Sequence, residues 1–150
     1  MGENRSRSVG YRFGMLFRLN QHFLNEALKP IGLRAGQVAC LAELLHSDGP
    51  RTQEDISTSL AIDPAATART VDLLVRKGLA VRTVNPENRR QNLVSATPTA
   101  RDAAKDFFET LKGAEDNFAG DLTDEERQTL IRLMDRMIYH AKKRKYAQHQ

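Results

Sequence analysis

The close spacing of two helix signals after Arg51 constrains this chain more than any other feature. Thr52-Gln53-Glu54-Asp55 offers Thr52 as a cap for free N–H groups and an acid, Asp55, in the first turn, and Ile56 and Leu60 follow four apart on one face. Asp63-Pro64 opens a second helix with a capping acid and a proline at the first helical position, where the missing N–H costs nothing. That helix runs to Gly78, which is able to close it in a left-handed cap. Only Ala61 and Ile62 separate Leu60 from Asp63, so the two helices are joined by a tight turn of the helix-turn-helix kind.

The second helix divides into two sides. Thr67, Val71 and Leu74 recur at four and three and pack on the first helix, which leaves Ala65, Ala66, Ala68, Arg69 and Thr70 on the other side. Small side chains with one arginine let a helix backbone approach the floor of a DNA major groove; they also suit a plain solvent-facing helix of good helix formers. The following segment favours the groove. Leu79–Val84 and Gln91–Ala96 alternate apolar residues as paired strands do, with Leu79, Val81, Leu93 and Val94 expected to pack. The turn between them, Asn85-Pro86-Glu87-Asn88-Arg89-Arg90, ends in paired arginines where a wing reaches phosphates or a minor groove.

These residues resemble the MarR family of winged helix-turn-helix transcriptional regulators, and the resemblance covers nearly the whole chain. It is carried by Leu74-Val75-Arg76-Lys77-Gly78-Leu79 at the end of the second helix, Asn88-Arg89-Arg90 at the wing, and Thr97-Pro98-Thr99-Ala100-Arg101 beyond it. The family usually has aspartate where Asn85 and Asn88 stand, the second acid orienting a wing arginine through a salt bridge. With asparagine at both positions, orientation falls to neutral hydrogen bonds or to Glu87.

The resemblance implies a mainly α fold with a small β-wing, as a single domain over residues 1–150. Its winged helix-turn-helix lobe spans 35–97, flanked by N- and C-terminal dimerisation helices at 8–34 and 98–145. It further implies a homodimeric repressor on a pseudo-palindromic operator in double-stranded DNA. The DNA-binding residues on this reading are Thr52, Gln53, Pro64, Ala65, Ala66, Ala68, Arg69, Thr70, Arg76, Arg89 and Arg90. A small, aromatic effector would occupy a cleft that Phe17, Arg18, His22 and Cys40 are candidates to line, although a satisfied structural role is the first reading of each of the four taken singly, and for Cys40, mid-helix among apolar neighbours, that role is a buried, inert thiol.

The flanking segments agree with such an assembly. Val9, Phe13, Leu16, Phe17, Phe23, Leu24, Ala27 and Leu28 form a broad helical stripe, suited to a monomer core or to a second subunit. Pro30 and Gly32 end it, and a new helix starts near Ala35, where Arg34 replaces the threonine cap common in the family and leaves the start weakly specified. Pro98 opens a helix that continues towards Gly120, with Gly113 as a point of interruption. Thr123 with Glu126 makes a capping box for a last helix carrying Leu130, Leu133, Met134, Met137, Ile138 and Ala141. The tail Lys142-Lys143-Arg144-Lys145 reads as a solvated helix end, and Met1 to Arg7 as a polar, frayed start.

Composition excludes more than it selects. The formal charge is +4 over 150 residues, and Arg51 to Arg101 hold eight basic residues against five acidic ones, so the surplus sits with the helix-turn-helix and the wing. The single cysteine rules out an intramolecular disulfide. The four histidines have no metal-ligand spacing, and no phosphate loop or nucleophile elbow is present, so neither a metal, a cofactor nor an enzyme activity is expected. Without a long apolar run or a signal-peptide pattern, a cytoplasmic protein with no membrane partner is expected. Two other readings compete: an oxidation sensor built on Cys40, and a winged helix used only for protein contacts.

Overall fold

The computed structural model describes residues 7–147, so of the frayed start expected at Met1 to Arg7 the first six residues, and also His149, lie outside the described residues, while Arg7 is helical. These residues form two compact units, one up to Ala114 and one from Glu115 onward. Helix α1 (Val9–Leu28) begins at Ser8, whose Oγ accepts a hydrogen bond from the Tyr11 N–H at 3.1 Å. A 3-10 turn over Lys29–Ile31 ends it, and Gly32 takes a φ of 69° to redirect the chain.

Helix α2 (Ala35–His46) corrects the expectation of a weakly specified start. Arginine cannot accept a hydrogen bond, so Arg34 offers no cap of its own. Instead the Ala35 N–H donates to Asn25 Oδ1 on α1 at 2.9 Å, and the Arg34 N–H donates to Gln37 Oε1 at 3.0 Å. The cap is tertiary, and it fastens the start of α2 to the preceding helix.

Strand β1 (Arg51–Thr52) leads into α3 (Gln53–Leu60), capped by Thr52 Oγ1, which accepts from the Asp55 N–H at 3.0 Å. Ala61 makes the turn at φ 54°, a left-handed conformation costing a non-glycine residue roughly 1–2 kcal/mol. Helix α4 (Pro64–Arg76) follows at once, with Asp63 Oδ1 accepting from the N–H groups of Ala65 and Ala66 at 2.9 and 3.1 Å. Gly78, at φ 72°, closes it: the Gly78 N–H donates to the Val75 carbonyl and the Leu79 N–H to the Leu74 carbonyl, which ends the helix two residues before the glycine.

Strands β2 (Ala80–Val84) and β3 (Asn92–Ala96) pair antiparallel with Arg82 opposite Val94, and β1 adds to the other edge of β3 with Arg51 opposite Val94. One of the four residues expected to pack in the ribbon lies otherwise, while Leu79 packs against the core and Leu93 is half-buried. Val94 is fully buried, but Val81 is 46% exposed, and Ala80 and Ala96 take the inward positions. The even-numbered Ala80, Val94 and Ala96 face the core, so the bulkier odd-numbered Val81 misstates the phase of the strand.

Helix α5 (Pro98–Asp102) is capped by Thr97 Oγ1, which accepts from the Ala100 N–H, and α6 spans Ala104–Ala119. The expected single helix is therefore broken at Ala103, and Gly113 sits inside a continuous α6. The core of the first unit joins Leu28, Leu41, Leu44, Ile56, Val71, Leu74, Val94 and Phe107 from both helices and sheet. Each fully buried leucine contributes roughly 1.5–3 kcal/mol relative to exposure.

In the second unit, α7 (Asp124–Ala147) has the predicted capping box: the Glu126 N–H donates to Thr123 Oγ1 at 3.2 Å, and the Thr123 N–H to Glu126 Oε2 at 2.9 Å. Arg127 ties this start to Glu115 at 2.9 Å. No side chain of α7 is buried.

Candidate nucleic-acid interface

The site is assembled on α3, α4 and the β2–β3 wing. Thr67, Val71 and Leu74 face inward, as their spacing demands. Ser57 Oγ on α3 lies 2.9 Å from both the Gln53 carbonyl and Thr67 Oγ1, and Thr67 Oγ1 lies 3.2 Å from the Asp63 carbonyl. The two hydroxyl protons thus both find acceptors in a buried chain that locks α4 against α3. On the other side of α4, Pro64, Ala65 and Arg69 are exposed, while Ala66, Ala68 and Thr70 are half-buried at the edges of that face. The backbone of the first two turns is therefore screened by little more than methyl groups, and a single long cation projects from it.

Beside α4, the start of α3 presents Thr52 and Gln53. The Thr52 oxygen serves as the helix cap, which leaves its O–H free to donate. Gln53 holds its carboxamide oxygen buried without a partner.

The wing tip is shaped by neutral amides, the first of the two means anticipated for it. Asn85 Oδ1 accepts from the Glu87 N–H at 3.0 Å, Asn88 Oδ1 from the Arg90 N–H at 3.2 Å, and Asn85 Nδ2 donates to Gln91 Oε1 at 3.2 Å. Gln91 Nε2 in turn donates to Glu54 Oε2 on α3 at 3.4 Å, joining the wing base to the helix-turn-helix. The bonds at the tip need no charge, so none of them is lost when a carboxylate is protonated.

The eight basic residues of this stretch sort into two groups. Four are engaged by the protein: Arg51 with Glu43 at 2.8 Å, Lys77 with the Gly32 carbonyl, Arg82 with Asp72 at 2.6 Å, and Arg101 with the Ser47 carbonyl at 3.2 Å. The other four, Arg69, Arg76, Arg89 and Arg90, are exposed, and no hydrogen bond or ion pair to another described residue engages their side chains. These four are the bases the sequence singles out. Sequence reasoning missed Arg82: it donates through Nη1 to Asp72 Oδ1 and through Nη2, at 3.4 Å, to the Ala68 carbonyl, so it joins the wing to α4. Its residue type gave it the same standing as the free arginines, and only the fold separates them.

The four effector-site candidates are not brought to one accessible surface. Phe17 is 63% exposed, Arg18 and His22 are exposed on the same helix, and the His22 ring stacks edge-on with Phe23 at 5.6 Å. Cys40 is only 2% exposed and belongs to the core. An open cleft of about 410 Å³ is lined instead by Asn25, Glu26, Lys29, Gly32, Leu33 and Arg34. Burial, and secondarily the Glu43 carboxylate, push the Cys40 thiol up from 9.0 to about 11. Among the described residues no cluster of metal-ligating side chains occurs, and no helix is long and apolar enough to cross a membrane.

Comparison with known proteins bears on this arrangement directly. The model of the MarR family matches residues 31–91, from the turn before α2 to the end of the wing loop. A candidate transcriptional regulatory protein for the hcr operon of Thauera aromatica is 27% identical over 106 residues, covering 71% of this chain; the chain spans 63% of that relative's length. A cysteine-to-serine variant of MarR from E. coli, solved in complex with operator DNA, is 25% identical with a TM-score of 0.79, covering 91% of this chain and 98% of that one. CouR from Rhodococcus jostii RHA1, solved bound to p-coumaroyl-CoA, shares the fold at a TM-score of 0.75 and 24% identity, covering 91% of this chain and 93% of that one.

Proposed function

We propose that this chain is a transcriptional regulator of the MarR family, whose model it matches over residues 31–91, and that it is a homodimeric repressor of a two-fold-symmetric operator, released by a small aromatic ligand. The observation that carries the DNA reading is the sorting of the bases. Arginines that the protein does not use for itself lie on the outer face of α4 and at the wing tip, where a duplex would meet both. Arg69 would read guanine O6 and N7 in the major groove, with Ala65 and Ala66 against thymine methyl groups, while Thr52, Gln53, Arg76, Arg89 and Arg90 would hold phosphates or a minor groove. A winged helix used only for protein contacts has no need of four unpaired arginines on one side.

The dimer reading rests on unburied apolar surface. On α1, Val9, Phe13, Leu16 and Phe17 are between 39% and 63% exposed, and on α7, Leu130, Leu133, Met137 and Ile138 are between 41% and 53% exposed. Soluble chains rarely leave so much apolar surface uncovered. A second copy would cover it, with the segments 8–34 and 98–145 as dimerisation helices around the lobe 35–97. The effector reading is supported by the ligand held by CouR.

Selection of duplexes from a random pool tests the proposal. An inverted repeat with half-sites ~10 base pairs apart is the expected product. Recovery of no enriched sequence, with the same affinity for every duplex, would contradict it.

Cys40 is not a sensor on this reading. A thiol whose pKa is raised to about 11 is protonated at neutral pH, and the thiolate is the reactive form. Because the raised value favours the protonated folded state, its effect on stability appears only above the ordinary thiol pKa and destabilises the fold as pH rises through about 11. Cys40→Ser is expected to bind operator as the parent does, and peroxide at neutral pH to release neither. Release of the parent alone would establish the redox reading instead.

A further inference from the structure

We infer that Arg82 is a positioning residue for DNA recognition: from the wing strand it sets the rotation of α4 about its axis, and so the operator specificity of side chains it does not itself touch. The inference deepens the DNA-binding reading and rests on it for its consequence, though the clamp itself is a property of the free protein.

The base of Arg82 is fixed by the sheet. It stands in β2 directly opposite Val94, which is fully buried, so the strand cannot slide at this point without disturbing the core. From there the guanidinium crosses to α4 and meets two groups four residues apart: Asp72 Oδ1 through Nη1 at 2.6 Å and the Ala68 carbonyl through Nη2 at 3.4 Å. The Ala68 carbonyl points along the helix axis towards residue 72, so the two acceptors lie side by side on one face of α4 and the planar fork reaches both. Rotation of α4 in either direction would pull at least one of these acceptors away. Arg69 follows Ala68, and Ala65 lies three residues before it, so the rotation held by Arg82 is also the one that aims the groove-facing side chains. On its other end, β2 runs from Arg82 into the wing tip at Asn85.

Stability does not account for the arrangement. The side chains are 27% and 50% exposed, and an ion pair this open adds little. In addition, Arg82 Nε is buried without a partner, an unfavourable feature that the clamp tolerates. Lysine would keep the charge but offers one ammonium in place of a two-pronged fork, so it can hold Asp72 or the carbonyl with correct direction, not both.

The test compares the full-length parent with Arg82→Ala, Arg82→Lys and Asp72→Asn. Affinity for the selected operator and for a scrambled duplex is measured across a salt series, together with hydrogen–deuterium exchange of the free proteins. Arg82→Ala is expected to lower the operator-to-scrambled ratio by about tenfold, the scale of one mismatched base pair. Its thermal midpoint should move by no more than a few degrees, and its salt slope should be unchanged. Arg82→Lys and Asp72→Asn should fall between Arg82→Ala and the parent. In the free Arg82→Ala protein, exchange should quicken in residues 68–76 and 80–92 and not elsewhere. An unchanged ratio in both Arg82 variants would overturn the inference. So would an equal loss on both duplexes with a lower salt slope, because Arg82 would then be a phosphate contact. If Arg82→Ala does not fold, Arg82→Lys and Asp72→Asn decide by the same ratio. If the parent prefers no duplex at all, the DNA reading fails and exchange alone decides the clamp: faster exchange in both segments upholds it, and unchanged exchange refutes it.

Discussion

A chain truncated before Thr123 is expected to sediment as monomer or aggregate and to lose about 10²- to 10⁴-fold in operator affinity, the advantage that two linked half-site contacts hold over one. The deleted α7 is 24 residues long and buries no side chain within its own chain, yet Leu130, Ile131, Leu133, Met137 and Ile138 recur along it. An isolated helix gains little from propensity alone, so most of its stability has to come from packing its apolar face. On the proposed reading that packing comes from the second copy. A milder variant separates dimer loss from unfolding. Ile138 is 53% exposed, so Ile138→Asp should leave the folded chain intact while placing a charge in the subunit contact. Sedimentation of both variants, with binding measured alongside, is the check. A truncated chain that stays dimeric with full affinity would remove α7 from the interface.

The recognition helix and the wing are expected to fail in different ways. Ala65 is exposed and only its backbone is used, the N–H in the Asp63 cap, so Ala65→Phe should fold normally. It would nonetheless hold the helix away from the groove floor and lower operator affinity by one to two orders of magnitude, on the order of 1–3 kcal/mol, with a much smaller loss on scrambled DNA. Arg69→Ala should act in the same direction and relax the preference at one base pair. Arg89→Ala with Arg90→Ala should instead weaken both duplexes, because contacts to phosphate carry affinity and little sequence information. On A·T-rich sites the double variant should also trim specificity, since an arginine in a narrow minor groove reads its shape.

Much of this architecture is legible in the residues alone, and the reasons are local. Thr52, Asp63, Thr97 and Thr123 each cap the helix their sequence context announces, because a capping oxygen acts within three residues of its own position. The two-residue turn at Ala61 and Ile62 follows from the same spacing. What is not legible depends on partners distant in sequence. Asn25 caps α2 from ten residues away, and strand β1 is two residues long, too short to show any period. The phase of β2 is easily misread because the inward Ala80 is less conspicuous than the outward Val81. Nothing in residue type separates Arg82, held by Asp72, from Arg89 and Arg90, and nothing in the helical pattern marks Ala103 as the break between α5 and α6. The burial of Cys40, by contrast, follows from its place in mid-helix among apolar neighbours.

The most direct test of the DNA reading is the salt dependence of binding by the parent and by the Arg89→Ala, Arg90→Ala double variant, on operator and scrambled duplexes, from about 50 to 200 mM salt. Counterion release predicts a steep linear fall of log affinity with log salt for the parent on both duplexes, and for the variant a slope smaller by about one for each phosphate it no longer neutralises. Equal slopes and equal affinities for parent and variant on both duplexes would show that the wing does not touch DNA.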